Sequence, residues 1–346
     1  MHILITGNQG FIGPVLTKLA LDSGHQVTGL DCGYFAANVP NPGSDSHPHH
    51  QIVRDIRDVK EDNLEGVDAI IHLAGLSNDP MGALNPELTY AINWRATERL
   101  GELAKRSGVP RFVFASSCSI YGAAGKEGAL DETAPFNPVS AYAISKVRSE
   151  EALSALADET FSPVFMRNAT AYGVGPRPRF DLVVNNLAGW AYTANIIRVM
   201  SDGTPWRPLV HIEDIAQAAL FAAVAPRESV HNEAFNIGRN DANYQVRDVA
   251  KAVKDAFPDA GLEITGETGG DPRSYRVDFT KALTSLPGFS PKWTLEKGVD
   301  EIARFLRDNG LQDAGFDNRI FIRLKQLQYG LETGALDDSL RRKRQI

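Results

Sequence analysis

Short apolar runs alternate with longer stretches of helical periodicity through the first half of the chain. Ile3–Thr6 leads into Pro14–Ser23, followed by Gln26–Asp31, Ala69–Leu73 with Glu87–Arg106, Arg111–Ser116 with Ala141–Ala157, and Val164–Met166. Strand-length runs joined by helix-length segments predict βαβ units and a parallel sheet. Gly24 and Gly108 stand where the first and second helical stretches should stop, and Pro110 lies just beyond the latter. The first part of the chain, to about residue 170, therefore reads as a doubly wound α/β domain. Past Gly173 the rhythm breaks in Gly173-Val174-Gly175-Pro176-Arg177-Pro178-Arg179. Mixed short elements and a turn-rich stretch at Gly266–Pro272 follow, the pattern of a smaller second lobe.

Composition narrows the function classes. The 346 residues are 43% apolar and 23% charged with a net charge of −7, as expected for an ordinary globular chain. An acidic protein is a poor partner for nucleic acid, and the one dense basic run, Arg341-Arg342-Lys343-Arg344, reads as a solvated tail. Two cysteines, Cys32 and Cys118, cannot form a disulfide framework and fit a reducing cytoplasm. Met1–Ile5 reads as a first strand rather than a signal peptide. Leu182–Met200, interrupted by Asn185, Asn186, Asn195 and Arg198, is too polar to span a membrane. His47-Pro48-His49-His50 has no acidic or cysteine partner at ligand spacing, so no metal site is expected.

Candidate chemistry begins directly after the first strand, with Gly7, Gly10 and Gly13 in Thr6-Gly7-Asn8-Gln9-Gly10-Phe11-Ile12-Gly13. Glycines there permit a tight turn and close approach of a pyrophosphate, and the free N–H groups at the start of the following helix favour its negative charge. The Gly-x-x-Gly-x-x-Gly spacing departs from Gly-x-Gly-x-x-Gly, and a purely structural turn would use the same residues. Asp31 ends the second strand eighteen residues after Gly13, where a carboxylate can accept hydrogen bonds from both hydroxyls of an adenosine ribose. That selects NAD over NADP, since Cys32-Gly33-Tyr34-Phe35 supplies no cation for a 2′-phosphate. Asp55-Ile56 could lie against adenine, or Asp55 could be a solvated loop residue.

Tyr142 and Lys146 are four residues apart within a helical stretch and share one face. An ammonium beside a phenol, whose pKa is ordinarily about 10, favours the phenolate, and a positively charged nicotinamide would act in the same direction. Tyr142 could then serve as a general base; a surface pair on an amphipathic helix is the alternative. Ser116-Ser117-Cys118-Ser119-Ile120-Tyr121-Gly122 follows a predicted strand and so opens at the carboxyl edge of the sheet, where ligands bind. A hydroxyl there could share a proton with Tyr142 and hold a reacting oxygen.

Taken in order, the glycine motif, Asp31, His72-Leu73-Ala74-Gly75, Asn93, the serine run ending in Tyr121-Gly122, and Tyr142 with Lys146 resemble the extended short-chain dehydrogenase/reductases known as NAD-dependent epimerase/dehydratases. The likeness spans roughly residues 1–305. It implies that Ser117 is the catalytic hydroxyl, Tyr142 the base, Lys146 the ligand of the nicotinamide ribose, and Leu73, Ala74 and Gly75 a strand end beside NAD. It implies a Rossmann domain over residues 1–172 with a return segment at about 208–240. A partly interleaved nucleotide-sugar lobe would occupy 173–207 and 241–309, leaving 310–346 as an extension without an assigned role.

The downstream segments Asn185-Asn186, Arg207 before Val210-His211-Ile212-Glu213-Asp214, Phe235-Asn236-Ile237-Gly238 and Asp271-Pro272-Arg273 resemble the family's substrate lobe. Loop arginines in an acidic protein suit a diphosphate, because the guanidinium fork pairs two oxygens at once. Arg207 and Arg273 are the foremost candidates, with Arg177, Arg179, Asn185 and Thr170 as further ones; surface salt bridges are the plain alternative for the arginines. Family 4,6-dehydratases carry an Asp-Glu pair where this chain has Cys118 and Ser119, and many members place Asn where it has Thr170. Cys118 could be an acid/base group or a small buried residue. The expectation is an NAD-dependent nucleotide-sugar epimerase with a transient keto sugar. A dehydratase or keto-sugar reductase is the rival of the same fold, and a non-enzymatic dinucleotide sensor the rival of another class. The resemblance also implies a homodimer formed through Glu87–Arg106 and Ala141–Ala157.

Overall fold

The computed structural model describes residues 1–40, 46–122, 128–266, 273–311 and 315–343. Seven parallel strands form the main sheet: β1 (His2–Thr6), β2 (Gln26–Asp31), β3 (His50–Val53), β4 (Ala69–His72), β5 (Arg111–Ser117), β6 (Ser162–Asn168) and β7 (Glu233–Ile237). Their order is β7-β6-β5-β4-β1-β2-β3. The order reverses at β1, and a crevice opens there beyond the strands' carboxyl ends.

Both faces of the sheet are covered, which is why its strands read as nearly unbroken apolar runs. Side chains alternate between faces. Ile3, Ile5, Ile71, Val113 and Val164 join one core cluster with Ala216 and Ala219, while Leu4, Ile70, Phe112 and Phe165 join the other with Leu100 and Leu103. The covering helices include α1 (Gly13–Asp22), α2 (Ala96–Arg106), α3 (Ala141–Ala155), α4 (Val183–Ala194) and α5 (Ile212–Val224). Gly24 and Gly108, just past α1 and α2, take positive φ angles of 78° and 74°, the left-handed conformation that ends a helix.

One helical expectation differs in detail. Glu87–Arg106 is a short helix at Pro86–Thr89, a wide π turn at Tyr90–Arg95, and then α2. Within the wide turn Asn93 is buried, with its side chain accepting from Leu76 N at 2.8 Å and donating to Leu76 O at 3.0 Å. The inserted residue costs a regular helical bond, while Asn93 secures the segment that leaves β4.

The lobe beyond Tyr172 has its own core, where α4 packs with α6 (Val246–Ala256) and α7 (Leu295–Asp308) through Leu187, Val253, Val299 and Ile302. A three-stranded sheet ties it to the rest. Its centre, Trp206–His211, pairs parallel with Thr170–Tyr172 and antiparallel with Asn243–Gln245. The chain returns to the main sheet through α5 and β7.

The C-terminal residues do not form the solvated tail expected of them. After α8 (Arg323–Glu332), Leu336 and Leu340 are buried in the same core cluster as Leu4 and Leu30. Arg341 pairs with Asp58, and Arg342 donates to the carbonyl of Gly33 at 2.7 Å. Apolar residues spaced among the charges, invisible to a count of basic residues, dock the segment; Arg344 lies outside the described residues. Among the described residues no helix is long and apolar enough to cross a membrane, and no cluster of His, Cys, Asp and Glu could hold a metal ion.

Candidate active site

A cleft of about 630 Å³ runs along the carboxyl ends of the strands and out toward the smaller lobe. Gly7, Gly10, Phe11, Ile12 and Gly13 line it. Gly7 has φ of 74°, and a Cβ there would stand 2.7 Å from the backbone nitrogen of Ala74. The glycine loop and Leu73-Ala74-Gly75, also lining the cleft, thus pack backbone against backbone. A Cβ on Gly13 would meet the Gly7 carbonyl at 2.4 Å, so no other residue permits this turn. Helix α1 begins there with no side-chain cap, leaving its first N–H groups for a ligand.

Asp31, at the end of β2, accepts from Gly33 N at 2.7 Å and Gln9 N at 3.1 Å. Burial nevertheless raises its carboxyl above the ordinary range, against those two donors and the charges of Arg177 and Arg342. A buried carboxylate gains from further donors, and the two hydroxyls of a ribose would supply them. Glycines that only backbone fits, an uncapped helix start and this carboxylate together fit the dinucleotide. Asp55 and Ile56 line the same end. The Asp55 carboxylate is already engaged: it caps the following turn and pairs with Arg57 at 2.6 Å. Although burial opposes it, Arg57 holds this carboxyl below its usual range.

Ser117, Tyr142 and Lys146 all line the middle of the cleft. Ser117 terminates β5 and caps the turn after it, accepting from Ser119 N at 3.1 Å. Helix α3 is capped by Ser140, which accepts from Ala143 N at 3.2 Å and so fixes the first turn, where Tyr142 sits. Lys146, one turn on, is 7% exposed; its Nζ donates to the Ala115 carbonyl at 2.5 Å. The ammonium lies 4.6 Å from the centre of the Phe114 ring and 5.7 Å from that of Tyr142.

Burial sets the resting state of both groups. Burial pushes the Tyr142 phenol up to about 12, with the hydrogen bond from Ser117 and the charges of Arg179 and Arg273 opposing it and Asp79 reinforcing it. Burial also pushes Lys146 down to about 8, with Glu150 opposing. The Lys146 ammonium, held on a carbonyl of β5, stands near enough to favour the phenolate, but burial outweighs it. Behind the site, Ser116 donates to Glu150, which pairs with Arg167 at 2.8 Å, all three buried. This network anchors α3 to the sheet and carried no signal in the sequence, its members lying on three separate elements.

Thr170, Arg179, Arg207 and Arg273 line the outer part of the cleft. Arg207 donates to the Trp206 carbonyl at 2.9 Å and to the carbonyl of Arg273. Arg273 pairs with Asp79, which also accepts from Ser140. Arg179 pairs with Asp181 at 2.9 Å and donates to Ser77 at 2.9 Å. Asp79 itself lines the cleft and was missed, for Asn78-Asp79-Pro80 reads only as a helix start. Asp271 and Pro272, which precede Arg273, lie outside the described residues.

Three candidates stand elsewhere. Asn185 is fully buried, donating to Gly173 O at 2.7 Å and accepting from Gly173 N at 3.1 Å; it braces the loop, and its neighbour Asn186 lines the cleft instead. Arg177 is buried outside the cleft lining, directed at the Ala36 carbonyl at 3.5 Å. Cys118 is 1% exposed with its thiol donating to the Arg167 carbonyl at 3.1 Å, and burial pushes the thiol far up. Buried and outside the cleft lining, it presents no group to a ligand there. Ser119 faces the cleft in its place.

Comparison with known proteins agrees with this geometry. The sequence model of the NAD dependent epimerase/dehydratase family matches residues 3–238. An uncharacterized UDP-glucose epimerase of Bacillus subtilis (strain 168) is 28% identical over 318 residues, covering 88% of this chain and 97% of that protein. A dTDP-glucose 4,6-dehydratase of Streptomyces niveus is 29% identical over 329 residues, covering 89% and 94%. Among solved structures, MoeE5 in complex with UDP-glucose and NAD superposes with a TM-score of 0.76 at 27% identity, covering 89% of this chain and 99% of that one.

Proposed function

Because the chain belongs to the NAD dependent epimerase/dehydratase family and its cofactor is NAD, we propose that it epimerises a nucleotide-linked sugar through a transient keto sugar. The bound cofactor supplies one capacity, taking a hydride from a carbinol carbon and giving it back. Tyr142 takes the proton of the sugar hydroxyl as the carbon is oxidised and, once the keto sugar has turned its other face toward the cofactor, returns a proton to the oxygen on reduction, so that the centre is inverted. Ser117 holds that oxygen and shares its proton with the phenol, stabilising the charge that develops there. The Tyr142 phenol, raised by burial, would come down beside the positive charge of an oxidised nicotinamide. Lys146, fixed to the Ala115 carbonyl, keeps its remaining N–H groups for the nicotinamide ribose.

The observation that carries the choice of reaction lies at the two positions after Ser117. Cys118 is turned into the core and Ser119 is a hydroxyl, so elimination of water finds no carboxylate pair there. Asp79 does not replace that pair, since Arg273 and Ser140 engage it. Arg207 and Arg273 are the residues we assign to the diphosphate, with Thr170 and Arg179 beside them. A homodimer through Glu87–Arg106 and Ala141–Ala157 completes the proposal; the exposed Arg148 of α3 lies 4.6 Å over the half-buried Trp94, joining the two segments.

Native mass spectrometry tests the substrate class, taken before and after exposure to UDP-, GDP-, CDP- and dTDP-sugars. Retained NAD with one retained sugar nucleotide is expected. A protein that takes up cofactor only reversibly argues for a reductase, and one that binds no sugar nucleotide argues for a sensor.

A further inference from the structure

The end of the chain forms part of the cofactor's cleft, although the family match stops at residue 238. Asn38 donates to the carbonyls of Arg319 and Ile320 at 2.8 and 2.9 Å, and Gln326 donates to the Tyr34 carbonyl at 3.3 Å. The Tyr34 hydroxyl bonds the Leu340 carbonyl, and Arg57 donates to the Ser339 carbonyl at 2.8 Å. Residues 318–343 are thereby fastened to the two segments that follow β2 and β3, next to Asp31 and around Asp55.

Arg323 is the residue this segment delivers. It is 1% exposed, lines the cleft, and its guanidinium carbon lies 4.6 Å from the centre of the Phe35 ring, another lining residue four positions past Asp31. Its hydrogen bonds run to two carbonyls, Arg177 O at 2.7 Å and Ile320 O at 3.4 Å. It forms no ion pair among the described residues, and the charges around it are Arg177 and Arg179 against Asp31 and Asp181. Asp181 is committed to Arg179. A buried guanidinium without a carboxylate is costly unless an anion arrives to pair with it. The anionic part of the cofactor is its pyrophosphate, joined directly to the adenosine, and a guanidinium fork grips such a group by two oxygens.

We infer that Arg323 is a cofactor-binding residue that pairs with the pyrophosphate of NAD, and that residues 318–343 are a clasp that presents it. The inference rests on NAD being the cofactor and is independent of whether the sugar is epimerised.

The test is calorimetric titration of wild type, Arg323→Gln and Arg323→Lys, freed of nucleotide, with NAD, adenosine and UDP, alongside thermal midpoints with and without NAD. Arg323→Gln should weaken NAD about tenfold or more, leave adenosine and UDP unchanged, and leave the nucleotide-free midpoint equal or higher because an uncompensated charge is gone. Arg323→Lys should fall between. Unchanged NAD affinity, or a lowered nucleotide-free midpoint with a full NAD-induced rise, would overturn the inference by making Arg323 structural. Loss of UDP affinity with NAD affinity intact would overturn it by giving Arg323 to the substrate. A wild type that fails to bind NAD would overturn the cofactor assignment itself.

Discussion

The Lys146 ammonium lies 5.7 Å from the centre of the Tyr142 ring while donating at 2.5 Å to the Ala115 carbonyl. The lysine thus belongs to the wall of the cleft as much as to the tyrosine. With the phenol raised to about 12 by burial, Tyr142 is protonated through the neutral range until the cofactor's positive charge is added. Tyr142→Phe should therefore lower turnover by at least ~10²-fold while NAD content and thermal midpoint stay as in wild type. It should also abolish any phenolate absorbance that appears when NAD is added to the wild-type protein. A variant with full turnover would contradict the mechanism.

Asp31 should set the choice of dinucleotide. If Asp31 accepts from the ribose hydroxyls as proposed, Asp31→Ala takes away that acceptor and the charge that repels a 2′-phosphate, and the ratio of NADP to NAD dissociation constants should fall about tenfold. An unchanged ratio measured by titration would reject the ribose assignment.

Arg207→Ala tests the substrate side. Loss of a guanidinium from the diphosphate should raise KM for the nucleotide sugar about tenfold or more with NAD content intact. A fall in kcat at unchanged KM would place Arg207 elsewhere in the reaction.

How much of this site was legible depended on whether its parts are close in sequence. The glycine loop, Asp31, Ser117 and the Tyr142–Lys146 pair are each set by a local turn, strand end or helical spacing, and they line one cleft. Asp79, Glu150 with Arg167, and Arg323 are brought to the site by contacts between distant segments, and nothing in their own neighbourhoods marks them. Asn185 and Arg177 show the converse: a motif can supply the right residue type while the backbone turns its side chain away, here toward Gly173 and Ala36. The wide turn at Tyr90–Arg95 keeps the apolar periodicity of a helix, so its presence is equally silent in the sequence.

Acid stability should depend on His72, which is buried between Thr6 and Thr97 at 2.6 and 2.8 Å. Burial, with Lys146 adding to it, pushes its pKa from 6.5 down to about 3. Because the folded-state value is depressed, the unfolded chain takes up the proton first. The contribution is complete above 6.5 and is lost as pH falls from there toward 3. The thermal midpoint of His72→Gln should fall less steeply than that of wild type between those limits. Identical slopes would contradict the assignment.

In the proposed epimerisation a hydride is taken from and returned to one sugar carbon without leaving the protein. Proton NMR of the product formed in D2O by the purified protein, with no cofactor added, puts this to the test. Epimerisation predicts inversion at one carbon, no deuterium at that carbon, and the same bound NAD after many turnovers, because the hydride never exchanges with solvent. A keto deoxy sugar carrying solvent deuterium, or conversion limited to one equivalent of cofactor, would contradict it.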